Sequence, residues 1–247
     1  RFRGKIANGV YYDWETPYGY GGPLVDGLIS EKSQEVFCNE LTEYCKEKHI
    51  VSQFIRFHPL LNNFKVLPSL IETRYLHDTI FIDTEVDKDI ILSNMDRTKR
   101  NRLRKAVKNG ITILKKDIED INEFKSLYKE TMKKNGAFEY YFFQDEYFYS
   151  LREMSDNACI FYAMLDNNPI SGAIVYYNNK FAHYHLGGSR TAYREYASNI
   201  LLFYEVASWA HDKGIVKFHL GGGMEPDDSL FEFKKQFNKH GRAPFVV

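Results

Sequence analysis

Apolar positions fall into short β-branched or aromatic runs and into longer stretches with 3.6-residue spacing, and their alternation predicts the elements. A first strand is expected at Val10-Tyr11-Tyr12-Asp13-Trp14. A Gly/Tyr loop, Pro17-Tyr18-Gly19-Tyr20-Gly21-Gly22-Pro23, separates it from a helix over 31–48 with Val36, Phe37, Leu41, Tyr44 and Cys45 on its inner stripe. Strands follow at 51–57 and 71–83, with Pro59 and Pro68 in the loop between. A short polar helix at 87–96 bridges to a basic helix at 97–108, stopped by Asn109-Gly110. Then come strand 111–115, helices 119–134 and 144–154, strands 159–166, 170–177 and 180–186, helix 198–213, strand 215–220 and helix 228–238. Phe245-Val246-Val247 reads as the start of one more strand.

Three successive strands make an antiparallel meander, with Asn178-Asn179 as a hairpin turn. The strand–helix–strand stretch from 180 to 220 makes a parallel crossover. The expected class is α/β (α+β), a mixed β-sheet flanked by helices. There is also an internal echo. The Gly-rich loop at 18–22, helix 31–48 and Arg56-Phe57-His58-Pro59-Leu60 are matched by the loop at 187–188, helix 198–213 and Lys217-Phe218-His219-Leu220. This spacing suggests tandem related domains, a partial copy at 1–86 lacking its first half and a fuller one at 97–247.

An aromatic content of 16% excludes a disordered chain. Lys+Arg and Asp+Glu are both 33, so net charge steers no polyanion, no DNA partner is expected, and any such attraction is local. Cys38, Cys45 and Cys159 are odd in number with no C-x-x-C, which suggests a reducing, cytoplasmic setting; Cys38 and Cys45 read as small buried hydrophobes on one helix face. No apolar run reaches the ~18 residues of a membrane span. Arg1-Phe2-Arg3-Gly4 opens the chain without an initiator Met or an apolar signal region, so the sequence reads as an excised fragment.

The sharpest chemical feature is a pair of strand ends, His183-Tyr184-His185-Leu186-Gly187-Gly188-Ser189 and Phe218-His219-Leu220-Gly221-Gly222-Gly223. Glycine there lets a ligand approach the backbone, and Gly187, Gly188, Gly221 and Gly222 would form a mouth of N–H donors suited to a carbonyl or phosphate oxygen. Ser198 or Asn199 can cap the next helix, whose N-terminus favours an anion beside that mouth. Between 97 and 108 there are seven basic residues and no acid, with Arg97, Arg100, Arg104 and Lys108 on one stripe suited to phosphates. Lys234 or Lys235 can reach back to the mouth while Phe233 and Phe237 face the core. His185, His219, Glu225 or Asp228 can take a proton. His183 and His185 share a strand face without a carboxylate triad, so no metal site is expected. No G-x-S-x-G or Walker A sequence is present, which excludes a serine-hydrolase elbow and a P-loop.

At these residues the chain resembles the GNAT acyltransferase superfamily and, more narrowly, the FemAB-type peptidyltransferases. The resemblance rests on Arg102-Leu103-Arg104-Lys105-Ala106, His185-Leu186-Gly187-Gly188, the strand to Gly221-Gly222-Gly223, Phe233-Lys234-Lys235-Gln236-Phe237 and the 17–23 loop. It implies tandem GNAT-like domains and transfer of an aminoacyl or acyl group to an amine of a peptidoglycan-type precursor, nucleotide- or lipid-linked. It brings Tyr18, Tyr20 and Arg56 into the binding set. The donor would be an aminoacyl-tRNA or an acyl-CoA, with no permanently bound cofactor. Coenzyme-A-dependent members carry R/Q-x-x-G-x-G/A before the helix matching 198–213; Arg194-Glu195-Tyr196-Ala197-Ser198-Asn199 lacks both glycines, which tilts the reading toward charged tRNA. Alternatives are an acetyl-CoA-dependent N-acetyltransferase acting on an amino sugar of surface polysaccharide, a non-catalytic RNA-binding module led by the basic helix, and a structural GNAT-like domain of a larger complex. The basic stripe also allows peripheral contact with an anionic leaflet.

Overall fold

A computed structural model describes residues 9–66 and 71–247. The opening Arg1–Gly4 and the loop residue Pro68 lie outside the described residues. The chain divides into a unit of residues up to Asp78 together with Ala243–Val247, and a unit of Thr79–Arg242. The division falls at Asp78/Thr79, ahead of the 87–96 bridge, and the last residues belong with the N-terminal unit.

In the N-terminal unit, strand β1 (Tyr12–Glu15), helix α1 (Glu31–Glu47) and strand β2 (Ile50–Phe54) form a crossover in which the two strands pair in parallel. Ser30 caps α1, its hydroxyl accepting from the Ser33 N–H at 3.1 Å, and Glu31 complements the helix dipole. The expected inner stripe is rotated. Val36, Phe37 and Tyr44 are exposed, and the less exposed side carries Gln34, Cys38, Leu41 and Cys45. The smaller side chains face the strands, and Gln53 Nε2 donates to Cys45 Sγ at 3.1 Å. Cys38 and Cys45 are thus half-buried, not buried, while Cys159 is buried. Trp14, Phe37, Leu41, Cys45 and Phe54 line an open groove of about 1150 Å³. The Gly/Tyr loop is pinned by Asn63, whose Nδ2 donates to the Gly21 carbonyl at 2.8 Å and the Pro23 carbonyl at 3.2 Å. Gly22 has φ +96°, and a Cβ there would press on Asn63 and Phe57.

The larger unit is organised by a seven-stranded mixed sheet. From Tyr75 onward the elements are β3 (Tyr75–Asp83), α2 (Lys88–Asn94), α3 (Arg97–Lys108), β4 (Thr112–Asp117), α4 (Ile121–Lys134), α5 (Asp145–Ser150), β5 (Ala158–Leu165), β6 (Asn168–Tyr177), β7 (Phe181–Ser189), α6 (Ser198–Asp212), β8 (Lys217–Gly221), α7 (Ser229–Lys235) and β9 (Arg242–Val246), of which the start of β3 and all of β9 but Arg242 are counted with the N-terminal unit. The strand order is β4-β5-β6-β7-β8-β3-β9. Strands β4 to β7 form the antiparallel meander, β7 and β8 are parallel, and β8 and β3 antiparallel. Asp166 and Asn167, both at positive φ, turn β5 into β6. One face packs Phe161, Val175 and Phe218 against α3, α6 and α7 through Leu103, Phe203 and Phe231. The other packs Ile160, Ile174 and Leu186 against Phe124 and Leu127 of α4 and Phe148 of α5. The nearly all-apolar helix expected at 198–213 is α6, with Val206, Ala207 and Ala210 fully buried.

Strands β7 and β8 pair only from Phe181/Lys217 to His183/His219. Beyond this point β7 follows β6, and the two parallel strands separate. A bulge marks the departure: Val175 faces Tyr184 and Ile174 faces Leu186, leaving His185 as the extra residue. Bulges sharpen strand twist, which swings the end of β7 away from β8. Gly188 then runs against α4 so closely that a Cβ would lie 2.5 Å from the Leu127 carbonyl carbon and the Tyr128 nitrogen. Both neighbours are backbone, so the helix itself would have to move. Gly188→Ala is therefore expected to destabilise the protein by about 1–3 kcal/mol. Chemical denaturation of the variant checks this, and an unchanged midpoint would contradict the packing described.

Candidate active site

The separation of β7 from β8 opens a notch whose walls are the expected glycine strand ends. On one side stand Tyr184, Gly187 and Gly188; on the other, Gly221 at φ +76° and Gly222. A Cβ on Gly187 would overlap the Tyr184 hydroxyl, so this glycine makes room for a phenol at the notch. Of the two candidate lysines, Lys234 reaches it. Its residue is 6% exposed and Nζ donates to the Gly222 carbonyl at 2.7 Å, with the Tyr184 ring centroid 5.9 Å away. Burial pushes its pKa down to about 8, with the Asp228 carboxylate pulling the other way. Lys235 points elsewhere and pairs with Glu232 at 2.8 Å.

The imidazoles lie on the α4–α5 face of the sheet. His219 is fully buried, and both its nitrogens are engaged: Nδ1 with His183 Nδ1 at 3.0 Å, Nε2 with Thr79 Oγ1 at 2.9 Å. It locks the last rung of the β7–β8 ladder. His185, the bulge residue, stacks on Tyr176 with centroids 4.2 Å apart and shares a 2.5 Å hydrogen bond with the Tyr147 hydroxyl. Burial of its ring lowers the pKa to about 3, so His185 is neutral near pH 7 and a weak proton acceptor there. Among the described residues no group of three or more His, Cys, Asp or Glu is placed to hold a metal ion.

Asp228 is the cap of α7. Its Oδ1 accepts from the Phe231 N–H at 2.7 Å, and its Oδ2 from Met224 at 2.7 Å and Glu225 at 3.2 Å. Burial raises its pKa, but the bonds from backbone N–H groups outweigh that and the carboxyl titrates below its ordinary range. The side chain shapes the loop after Gly222, while Glu225 on that loop is exposed. Ser198 is buried as the first residue of α6, behind a left-handed Ala197, and its hydroxyl accepts from the Ser171 hydroxyl at 2.8 Å. The helix has no side-chain cap, and Asn199 is exposed.

The basic stripe is partly consumed by the fold. Arg100 donates to the carbonyls of Ser93, at 3.0 Å, and Met95, closing the end of α2. Arg104 bonds Asn101 Oδ1 at 3.1 Å. Tyr18, Tyr20 and Arg56 lie in the N-terminal unit. There Tyr20 packs edge-on to Phe245, Tyr18 is 40% exposed, and Arg56 donates to the Thr16 carbonyl at 2.8 Å and pairs with Glu15 at 3.6 Å.

Sequence reasoning missed three residues of this region. Tyr184 enters only as part of the strand-end motif and Tyr147 not at all; neither has a local signal, because the bulge in β7 and the position of α5 bring them in. Lys99 had a signal. It shares a helical stripe with the buried Leu103 and Ala106, at i, i+4 and i+7, and is itself 4% exposed.

A family profile described as "Acetyltransferase (GNAT) domain" matches residues 93–235. No curated protein matches the chain. Among solved structures, FemX is similar at a TM-score of 0.65 and 17% identity, over 87% of this chain and 77% of that one. L-PGS from Bacillus licheniformis follows at 0.60 and 17%, over 87% and 73%. A conserved protein of unknown function from Bacteroides thetaiotaomicron aligns at 0.60 and 12%, over 87% and 74%. The profile spans more than half of the chain and covers the notch, Lys234 and the basic helix, so the protein is a transferase that belongs to the GNAT acetyltransferase family.

Proposed function

We propose that the protein transfers an aminoacyl group from a charged tRNA to an amine of a cell-envelope precursor, nucleotide- or lipid-linked. The observation that carries this reading is the Lys234 ammonium, buried at the notch on the Gly222 carbonyl. Support for the donor comes from the approach to α6. The segment 194–199 has no glycines, Ala197 takes the left-handed conformation instead, and the Ser198 hydroxyl is already bonded to Ser171. These features leave less room for a pyrophosphate grip. Support for the acceptor comes from fold similarity to FemX and L-PGS.

In this reaction the acceptor amine attacks the ester carbonyl carbon. The carbonyl oxygen gains negative charge, and Lys234 donates to it as the charge develops. The intermediate collapses with cleavage of the carbon–oxygen bond to the ribose. An amide forms, one amine proton leaves, and the ribose oxygen departs as a hydroxyl. The neutral His185 and the capping Asp228 make poor bases here, so alignment of the amine in the notch carries much of the work.

Two outcomes test this. Lys234→Met should lower kcat by about 10²–10³-fold with the fold intact. Lys234 is charged below about 8 and neutral above, so activity that needs the charged form falls as pH rises through that value; Lys234→Arg should retain activity and move the decline to higher pH. A pH–rate profile without that decline would contradict the role. The donor is tested by titrating the protein with acetyl-CoA and with charged tRNA in calorimetry. Saturable binding of the tRNA alone supports the proposal, and binding of acetyl-CoA alone replaces it with an N-acetyltransferase acting on an amino sugar.

A further inference from the structure

Lys99 is a cation on the buried stripe of α3, a position where folding alone favours an apolar side chain. Its Nζ stands 3.6 Å from the centroid of the Phe233 ring and 5.4 Å from that of Phe237. Aromatic faces attract an ammonium but accept none of its hydrogen bonds well. Among the described residues no oxygen accepts from Lys99, although its side chain is as buried as that of Leu103. Nor is Nζ among the buried polar atoms sealed from solvent, so the stem is covered and the tip is open. The neighbouring charges have other partners: Arg100 closes α2, Arg104 bonds Asn101, and Asp96, the acid closest in sequence, pairs with Lys239 at 3.5 Å. Arg102, one turn along the same helix, adds positive potential.

The position ties this cation to the notch. Phe233 and Lys234 are consecutive in α7, and Lys234 reaches Gly222. Phe233 packs on Phe203, and Phe203 on Tyr184, with centroids 6.2 and 4.8 Å apart. Lys99 and Lys234 therefore border one connected aromatic group, at Phe233 and at Tyr184. We propose that Lys99, backed by Arg102, binds a phosphate group of the acyl donor whose carbonyl sits at Lys234. This rests on the transferase reading above and specifies how the donor is held. A phosphate oxygen would supply the acceptor that the ammonium lacks. The phosphodiester near a tRNA 3′ end and the pyrophosphate of coenzyme A offer the same chemistry.

Calorimetry on the full chain tests it, with sodium pyrophosphate, acetyl-CoA and a short RNA hairpin ending in CCA as probes. Burial, then Arg102, holds the Lys99 pKa down to about 8 against the weaker pull of the Asp96 carboxylate. An anion on Lys99 restores the proton, so binding at about pH 9 should take up a fraction of a proton, read from two buffers of different ionisation enthalpy, and uptake should vanish near pH 6.5. Lys99→Arg should bind within a few-fold but without Lys99's share of the uptake, which separates it from Lys234. Lys99→Met should weaken binding by about tenfold or more. Uptake with the hairpin assigns the phosphate to RNA, and uptake with acetyl-CoA assigns it to the coenzyme. Uptake unchanged in Lys99→Arg, or a response to pyrophosphate but to neither donor, overturns the proposal. Transfer activity with a silent Lys99 defeats this inference and spares the transferase reading; Lys99-dependent binding with no transfer does the reverse.

Discussion

Everything at the candidate site depends on where the β7–β8 ladder stops. Two parallel strands that kept pairing to their ends would close their N–H and carbonyl groups on each other and leave nothing for a substrate. Here the ladder ends at His183 and His219, which share a 3.0 Å hydrogen bond, and the extra residue at His185 turns β7 outward. Three side chains hold that departure in place. Thr79 fixes the second nitrogen of His219, and Tyr176 and Tyr147 fix the ring of His185. Gly188 then lets α4 close against the departing strand. The histidines thus define the shape of the notch from its apex.

Its electrostatics come from the other face. Lys99 and Lys234 are both buried, both face aromatic rings, and neither forms a carboxylate ion pair among the described residues. An uncompensated buried ammonium opposes folding by several kcal/mol before relaxation. The protein holds two buried lysines without a carboxylate ion pair, compensated only by the Gly222 carbonyl at Lys234 and by an open tip at Lys99, and in each case burial brings the pKa to about 8. Such an arrangement is poor design for stability. It suits a site that must present positive charge to a ligand with little water in between.

Much of the fold was legible because the apolar runs have clean periods and clear stops. The basic helix was expected at 97–108 and is Arg97–Lys108; the crossover helix expected at 198–213 is Ser198–Asp212. The two glycine runs read from sequence end β7 and β8, which are neighbours in the sheet. What sequence could not supply is direction. In α1 the expected stripe holds at Leu41 and Cys45 but not at Val36, Phe37 and Tyr44, which are exposed, while Gln34 and Cys38 join the less exposed side. Lys234 and Lys235 were equivalent on paper, and a rotation of 100° along α7 separates a buried donor from a surface ion pair. For His219 the residue type suggested proton transfer, while two saturated nitrogens make it a structural pin.

The return of Ala243–Val247 to the N-terminal unit has a consequence for biosynthesis. Arg74 and Val247 exchange two backbone hydrogen bonds, of 2.7 and 2.9 Å, and Phe57 donates to the Val246 carbonyl at 3.0 Å. Those bonds join segments separated by the whole of the larger unit. On a ribosome, where domains tend to fold in the order they emerge, the N-terminal residues leave the tunnel first and still lack these partners. The unit that precedes Thr79 is therefore completed only after Thr79–Arg242 has been made and has had time to fold.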